Sequence, residues 1–163
     1  MRAIETLVLA IALAAAGEAR AQTTITKKML TLDGAKAVAA AAAAEAKRGN
    51  EGGSIANVDD GGNLMYLERI QPTFPMGAHI ATEKARTAAL FQRPSKVLED
   101  VIISGRTTLL SVVPAPLQGG EPIVVEGQIV GAVGVSGAAS AMRDQVIALA
   151  GAAALGTKTS ASR

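Results

Sequence analysis

The chemistry open to this chain is limited by a single histidine. His79 is the only imidazole in 163 residues, and there is no cysteine. A Ser-His-Asp triad would depend on His79 alone, and His-rich or thiolate metal sites are excluded. An imidazole is also a common axial ligand for haem iron, as are Met and Tyr. His79 opens a helix just after a loop bounded by proline and glycine, a place from which a ring can project into a pocket. Met65, Tyr66 and Met76 lie in the neighbouring strand and loop. His79 is therefore the candidate metal ligand, weighed against an ordinary surface or capping residue. Lys84 and Arg86 follow on the same helix and could bind carboxylates, although such charges are more often a solvated face.

A second chemical candidate is the glycine-rich turn Gly134-Val135-Ser136-Gly137, where a strand feeds a helix. Backbone N–H groups at such a helix start suit an anionic group, which makes Gly134, Ser136 and Gly137 candidate pocket residues. The plainer reading is that these glycines let the strand turn tightly and the helix pack closely. Ser136 is not a nucleophile elbow, because Ala138 stands where the second flanking glycine belongs. Gly131-Ala132-Val133-Gly134 lacks the Lys-Ser/Thr of a phosphate loop. Asp59 and Asp60 lack the ligand spacing of a calcium loop and read as a solvated turn.

The elements that must position these residues follow from periodicity and punctuation. Thr31 can cap a helix over Leu32–Lys47, with Leu32, Ala35, Val38, Ala39 and Ala42 on one stripe and Gly49-Asn50 at its end. Ser54–Val58 and Leu64–Ile70 read as paired strands around the turn 59–63. Pro72 and Pro75 stop the ladder. Helices are expected over Ala78–Phe91, stopped by Pro94, and from Ser95, as cap, through Ile103, closed by Gly105. Residues 106–118 connect, with an edge strand expected near Val113–Leu117. Val124-Val125 and Ile129–Val135 form a hairpin across Glu126-Gly127, where positive φ is expected. A last helix carries Met142, Val146, Ile147, Leu149, Ala150 and Ala153. The order α-β-β-α-α-β-β-β-α, with hairpin-paired strands, points to an antiparallel α+β fold.

Composition bounds the rest. The length allows one domain with a real core. Much of the 49% apolar content is alanine, and the aromatics are only Tyr66, Phe74 and Phe91. Small side chains let helices lie close to a sheet, but argue against a deep haem pocket unless subunits share it. A net charge of +2 without a basic cluster gives no sign of nucleic acid binding. Residues 1–21 read as a signal peptide: Met1-Arg2, an apolar run Leu7–Ala16, and Ala19-Arg20-Ala21 as cleavage site, implying a periplasmic or secreted protein. Residues 22–29 read as a flexible leader, 30–156 as the domain and 157–163 as a polar tail.

Four blocks in order resemble the GlcG/HbpS family, also described as the haem-degrading or PduO C-terminal-like domain. They are residues 58–64 (VDDGGNL), 84–91 (KARTAALF), 119–123 (GGEPI) and 131–138 (GAVGVSGA). The resemblance spans about Leu30–Leu155. It implies a profilin-like fold with a five-stranded antiparallel sheet between helices, often assembled into homo-oligomers. It also implies exported members that bind haem, one type of which signals to a membrane sensor, and others of unclear role beside glycolate-oxidation genes. After Gly137 the family's usual Pro and acidic residues are replaced by Ala139-Ser140-Ala141-Met142-Arg143, with Asp144 and Gln145 remaining. No catalytic residue carries over. The expected function is haem or tetrapyrrole binding without turnover, with His79 as axial ligand, Lys84 and Arg86 as propionate partners and Gly134–Gly137 as pocket wall. The alternative is an enzyme or accessory protein acting on a small carboxylate at the glycine turn.

Overall fold

The computed structural model describes residues 23–156, so the signal peptide read over 1–21 and the tail over 157–163 lie outside the described residues. The first helix, α1, spans Leu32–Arg48. Thr31 caps it by accepting from Gly34 N at 3.1 Å, and Asp33 and Lys47/Arg48 sit at the ends that complement the helix dipole. Ala35, Ala39, Ala42, Ala43 and Ala46 are core alongside Val38, whereas Leu32, expected on the same stripe, is exposed, as are Ala37, Ala40 and Ala44. Ahead of it, Leu30 N donates to Val130 O at 3.3 Å, which draws the end of the leader onto the sheet.

Strands β1 (Gly53–Asp59) and β2 (Leu64–Ile70) pair around the acidic turn. Asp59 organises that turn, accepting from Gly61 N and Asn63 N at 2.9 and 2.8 Å. Helix α2 runs over Gly77–Phe91 and α3 over Ser95–Ile103, followed by a short 3-10 helix at Thr107–Ser111. Strands β3 (Gly120–Val125) and β4 (Gln128–Ser136) form the second hairpin, and α4 (Ala141–Ala152) closes the domain. Glu126 and Gly127 both take positive φ, 49° and 76°, as the expected two-residue turn requires.

The sheet has four strands in the order β2-β1-β4-β3, all neighbours antiparallel. The expectation of five strands is corrected to four among the described residues. Residues 113–117 form no strand, because Pro114 and Pro116 cannot donate to a ladder and the chain before them winds into the 3-10 turn. Ser95 is not the cap of α3 but its first residue. Its buried hydroxyl donates to Leu117 O at 2.6 Å and accepts from Gly120 N at 2.8 Å.

Alternation divides the sheet into two unlike faces. Ile55, Ile123, Val133 and Val135 pack against Val38, Ala42, Ile147 and Ala148 of α1 and α4. Asn57 shares this face, wholly buried opposite Tyr66 and Val133, and neither its Oδ1 nor its Nδ2 has a partner. The other face offers Val58 and Ala132 to Ala85, Ala88 and Ala89 of α2. There the approach is backbone on backbone. A methyl built on Gly134 would lie 2.0 Å from Ala81 O, and one on Gly120 would lie 2.2 Å from Lys84 O.

Candidate functional site

The six site residues expected from sequence divide into two groups, on different faces of α2. Lys84, Gly134, Ser136 and Gly137 lie where α2 meets β4. The Lys84 side chain is 4% exposed, and its ammonium donates to Asp144 Oδ2 and Val135 O, each at 2.9 Å. This ammonium, expected to receive a propionate, is spent inside the chain on a carboxylate of α4. Burial pushes the Asp144 carboxyl above its ordinary range, and only part of that shift is returned by Lys84 and by donors from Ala138 and Gly137.

The glycine turn is also occupied from within. Ala138 N donates to Asp144 Oδ1 at 2.9 Å, so the anion held by the turn is the protein's own. Gly134 serves close helix–sheet packing, and Gly137 supplies a φ of 105°. The stretch that departs from the family pattern is used internally. Ser140 caps α4 by accepting from Arg143 N, and Arg143 reaches Glu51 at 2.8 Å and Glu45 at 3.3 Å. Gln145 Nε2 donates to Glu121 Oε1 at 2.7 Å. Glu121 is itself buried, and burial pushes its carboxyl up to about 7 against the opposing pull of Gln145. Sequence reading assigned no role to Glu121 or Asp144.

His79 and Arg86 form the other group. Arg86 Nε donates to Gly62 O at 2.9 Å and its guanidinium to Glu83 at 2.6 Å, which turns this side of α2 toward the β1–β2 turn. Residues 79, 83, 86 and 90 recur at helical spacing, so the exposed His79 ring and Leu90 share the stripe with Arg86. Strand β2 is an outer strand of the sheet. On its α2 side, Leu64 and Leu67 remain exposed, as do Phe74 and Met76 just before the helix. Tyr66 and Met65 pack instead against the α1 side. An exposed imidazole, an arginine and several uncovered apolar side chains thus lie along one rim of the domain.

A separate hollow of about 450 Å³ lies among Met29, Leu30, Val125, Val130 and Leu155, with Lys28 and Glu126 paired at its edge. His79 lines neither this hollow nor a second one of about 440 Å³ beside Glu51 and Pro72. Among the described residues, no cluster of three or more His, Asp or Glu could hold a metal ion.

Comparison with known proteins places this architecture. The family model described as "Haem degrading protein HbpS-like" matches residues 30–153. Protein GlcG of Escherichia coli K12 is 46% identical over 112 residues, covering 68% of this chain and 84% of GlcG. The crystal structure of HbpS superposes with a TM-score of 0.76 at 32% identity, covering 85% of this chain and 99% of HbpS. A crystal structure of a PduOC:heme complex shares the fold, with a TM-score of 0.69 at 23% identity over 78% of this chain and 95% of that one. The chain belongs to the family of haem-degrading, HbpS-like proteins.

Proposed function

We propose that this protein binds haem at the outer rim of α2, with His79 as the axial ligand to iron. The observation that carries the proposal is the exposed imidazole on the first turn of α2, three residues after the exposed Met76, on a helix flanked by a strand that leaves Leu64 and Leu67 uncovered. A flat, largely apolar ring with charged edges suits such a rim. Its centre would meet the imidazole, and the half-exposed guanidinium of Arg86, about 10 Å further along the helix, would receive a propionate on the donors that Gly62 and Glu83 leave free. Family membership and a haem complex among the structural relatives support this reading. Lys84 has no part in it, because its ammonium is buried against Asp144. We read the protein as exported, with residues 1–21 removed, so that haem would be met outside the cytoplasm.

A rim is shallower than a pocket, and a second copy of the chain would deepen it. The exposed apolar residues Val97 and Ile103 of α3 and Leu110 of the 3-10 turn lie toward β3, the edge of the sheet opposite β2, so they would reach the rim of a second copy through a head-to-tail contact. A monomeric mass in light scattering would remove this part of the proposal. The haem reading itself is tested by adding hemin to the purified protein. A shifted Soret band in the wild type that weakens in His79→Ala is expected, and an unchanged wild-type spectrum would overturn it.

A further inference from the structure

The start of α2 holds a group of donors that nothing in the fold uses. Helices α1 and α4 each have a side-chain cap and an acidic residue in the first turn. Helix α2 has neither: Met76 at its N-cap offers no side-chain bond, and the first turn carries no acid. Gly77 N is satisfied by Phe74 O at 3.1 Å, and Ile80 N by Met76 O at 3.0 Å. The N–H groups of Ala78 and His79, between them, have no acceptor among the described residues.

Two hydroxyls converge on the same place. Ser54 of β1 is 0% exposed and its Oγ has no partner, and Thr73 Oγ1 is likewise buried and unpartnered. Both face Gly77. A methyl built there would lie 3.0 Å from Thr73 Oγ1 and 3.2 Å from Ser54 Oγ. Gly137 bounds the other side, since a methyl on it would lie 3.0 Å from Thr73 Oγ1 and 3.4 Å from the Phe74 ring. Buried hydroxyls without partners are rare because each forfeits a hydrogen bond that water would have supplied. Here two of them stand at the positive end of a fifteen-residue helix, between two glycines.

From this geometry we infer a subsite for a small anion, a carboxylate or similar oxoanion, at the N-terminus of α2. The anion's oxygens would accept from Ser54 Oγ, Thr73 Oγ1 and the N–H groups of Ala78 and His79. The two carboxylates hydrogen-bonded to the chain just after Gly137 are both paired, Asp144 with Lys84 and Glu51 with Arg143. That leaves the Ser136 carbonyl oxygen, 3.5 Å from a methyl built on Gly77, as the acceptor that also faces this point. Phe74 is half exposed, in a loop that is itself exposed for most of residues 71–76, and its ring lies against Gly137. The subsite is distinct from the rim where the His79 ring projects, because it uses the backbone of that residue and the sheet beneath it. The carboxylate could belong to a free acid or to a larger ligand such as haem.

Thermal melting of the purified protein in sodium acetate, sodium formate or inorganic phosphate, against sodium chloride at equal ionic strength, tests the inference. A saturable rise in melting temperature with at least one of the three is expected for the wild type. The apparent dissociation constant should rise about tenfold or more in Ser54→Ala, which removes a donor, and in Gly77→Ala, which fills the cradle. Far-UV circular dichroism checks that both variants are folded. Ser54→Ala should melt no lower than wild type in chloride, since its hydroxyl bonds to nothing. Competition by hemin but not by hemin dimethyl ester would identify a haem propionate as the source, and competition by neither would identify a free acid. No response to any of the three anions in the wild type, or equal responses in all three proteins, would overturn the inference. A Soret titration judges the haem reading separately.

Discussion

Removing one charge from the buried pair between α2 and α4 should cost far more than the pair itself contributes. In Lys84→Met the aliphatic stem is kept while the ammonium is lost, which strands the Asp144 carboxylate, only 8% exposed in its side chain. At 2.9 Å the two charges attract by about 6 kcal/mol, taking an effective dielectric constant of about 20. Burial offsets this gain, as the raised Asp144 carboxyl shows. Breaking such a pair costs roughly 3–5 kcal/mol, which is about 10–20 °C in melting temperature for a domain of this size. The sign of the pH dependence follows from the upward shift. A raised carboxyl contributes stability that is present below its unfolded value and lost as pH rises through its folded value. Without Lys84 the shift should grow, so the penalty in Lys84→Met should be largest at neutral pH and shrink as Asp144 takes up a proton. Lys84→Met/Asp144→Asn should recover much of the loss at pH 7, because the amide oxygen can still accept from Ala138 N. Urea unfolding from pH 4 to 8 measures each arm. A penalty under about 1 kcal/mol at pH 7, or one independent of both pH and the second substitution, would refute this account.

Two further predictions concern the sheet. Glu121, ordinarily near 4.5 and pushed up to about 7 by burial, should favour folding below pH 4.5 and lose that contribution as pH rises through 7. Glu121→Gln should remove this slope, at most ~1.4 kcal/mol per pH unit, and stabilise the protein at pH 8, as read by chemical denaturation. Gly134→Ala should destabilise by about 3 kcal/mol or more, because its methyl would meet α2 backbone rather than a movable side chain. Unchanged melting by circular dichroism would show that α2 can lift without cost.

Local signals carried most of the architecture. Strand β2 and the end of α2 fall where alternation, Pro72 and Pro94 place them. The Glu126-Gly127 turn takes the positive φ values that its residues allow. The fifth strand, implied by the family resemblance and expected near Val113–Leu117, does not form there because Pro114 and Pro116 cannot donate to a ladder. The site was less legible. Lys84 and Asp144 are 60 residues apart, so no local pattern shows that one neutralises the other. Nor could glycine spacing show that the turn at Gly137 is already filled by that same carboxylate. One signal was available and unused: Glu121 lies in register with Ile123 on the inward face of β3, so period-two alternation alone marks it as a buried acid.

The seating of α2, carbonyl oxygens against glycines, has a consequence for anything that binds its rim. A helix resting on flexible side chains can roll or slide to accommodate a guest. This one is clamped, since rotation would drive Ala81 O or Lys84 O into the strands beneath. The imidazole at residue 79 therefore has side-chain torsions to adjust and almost no main chain, and a ligand meeting it incurs little entropy loss for ordering the scaffold. The same clamp makes the rim a conservative place to evolve: exchanging the outward residues leaves the mount untouched, while adding one carbon underneath dislodges it.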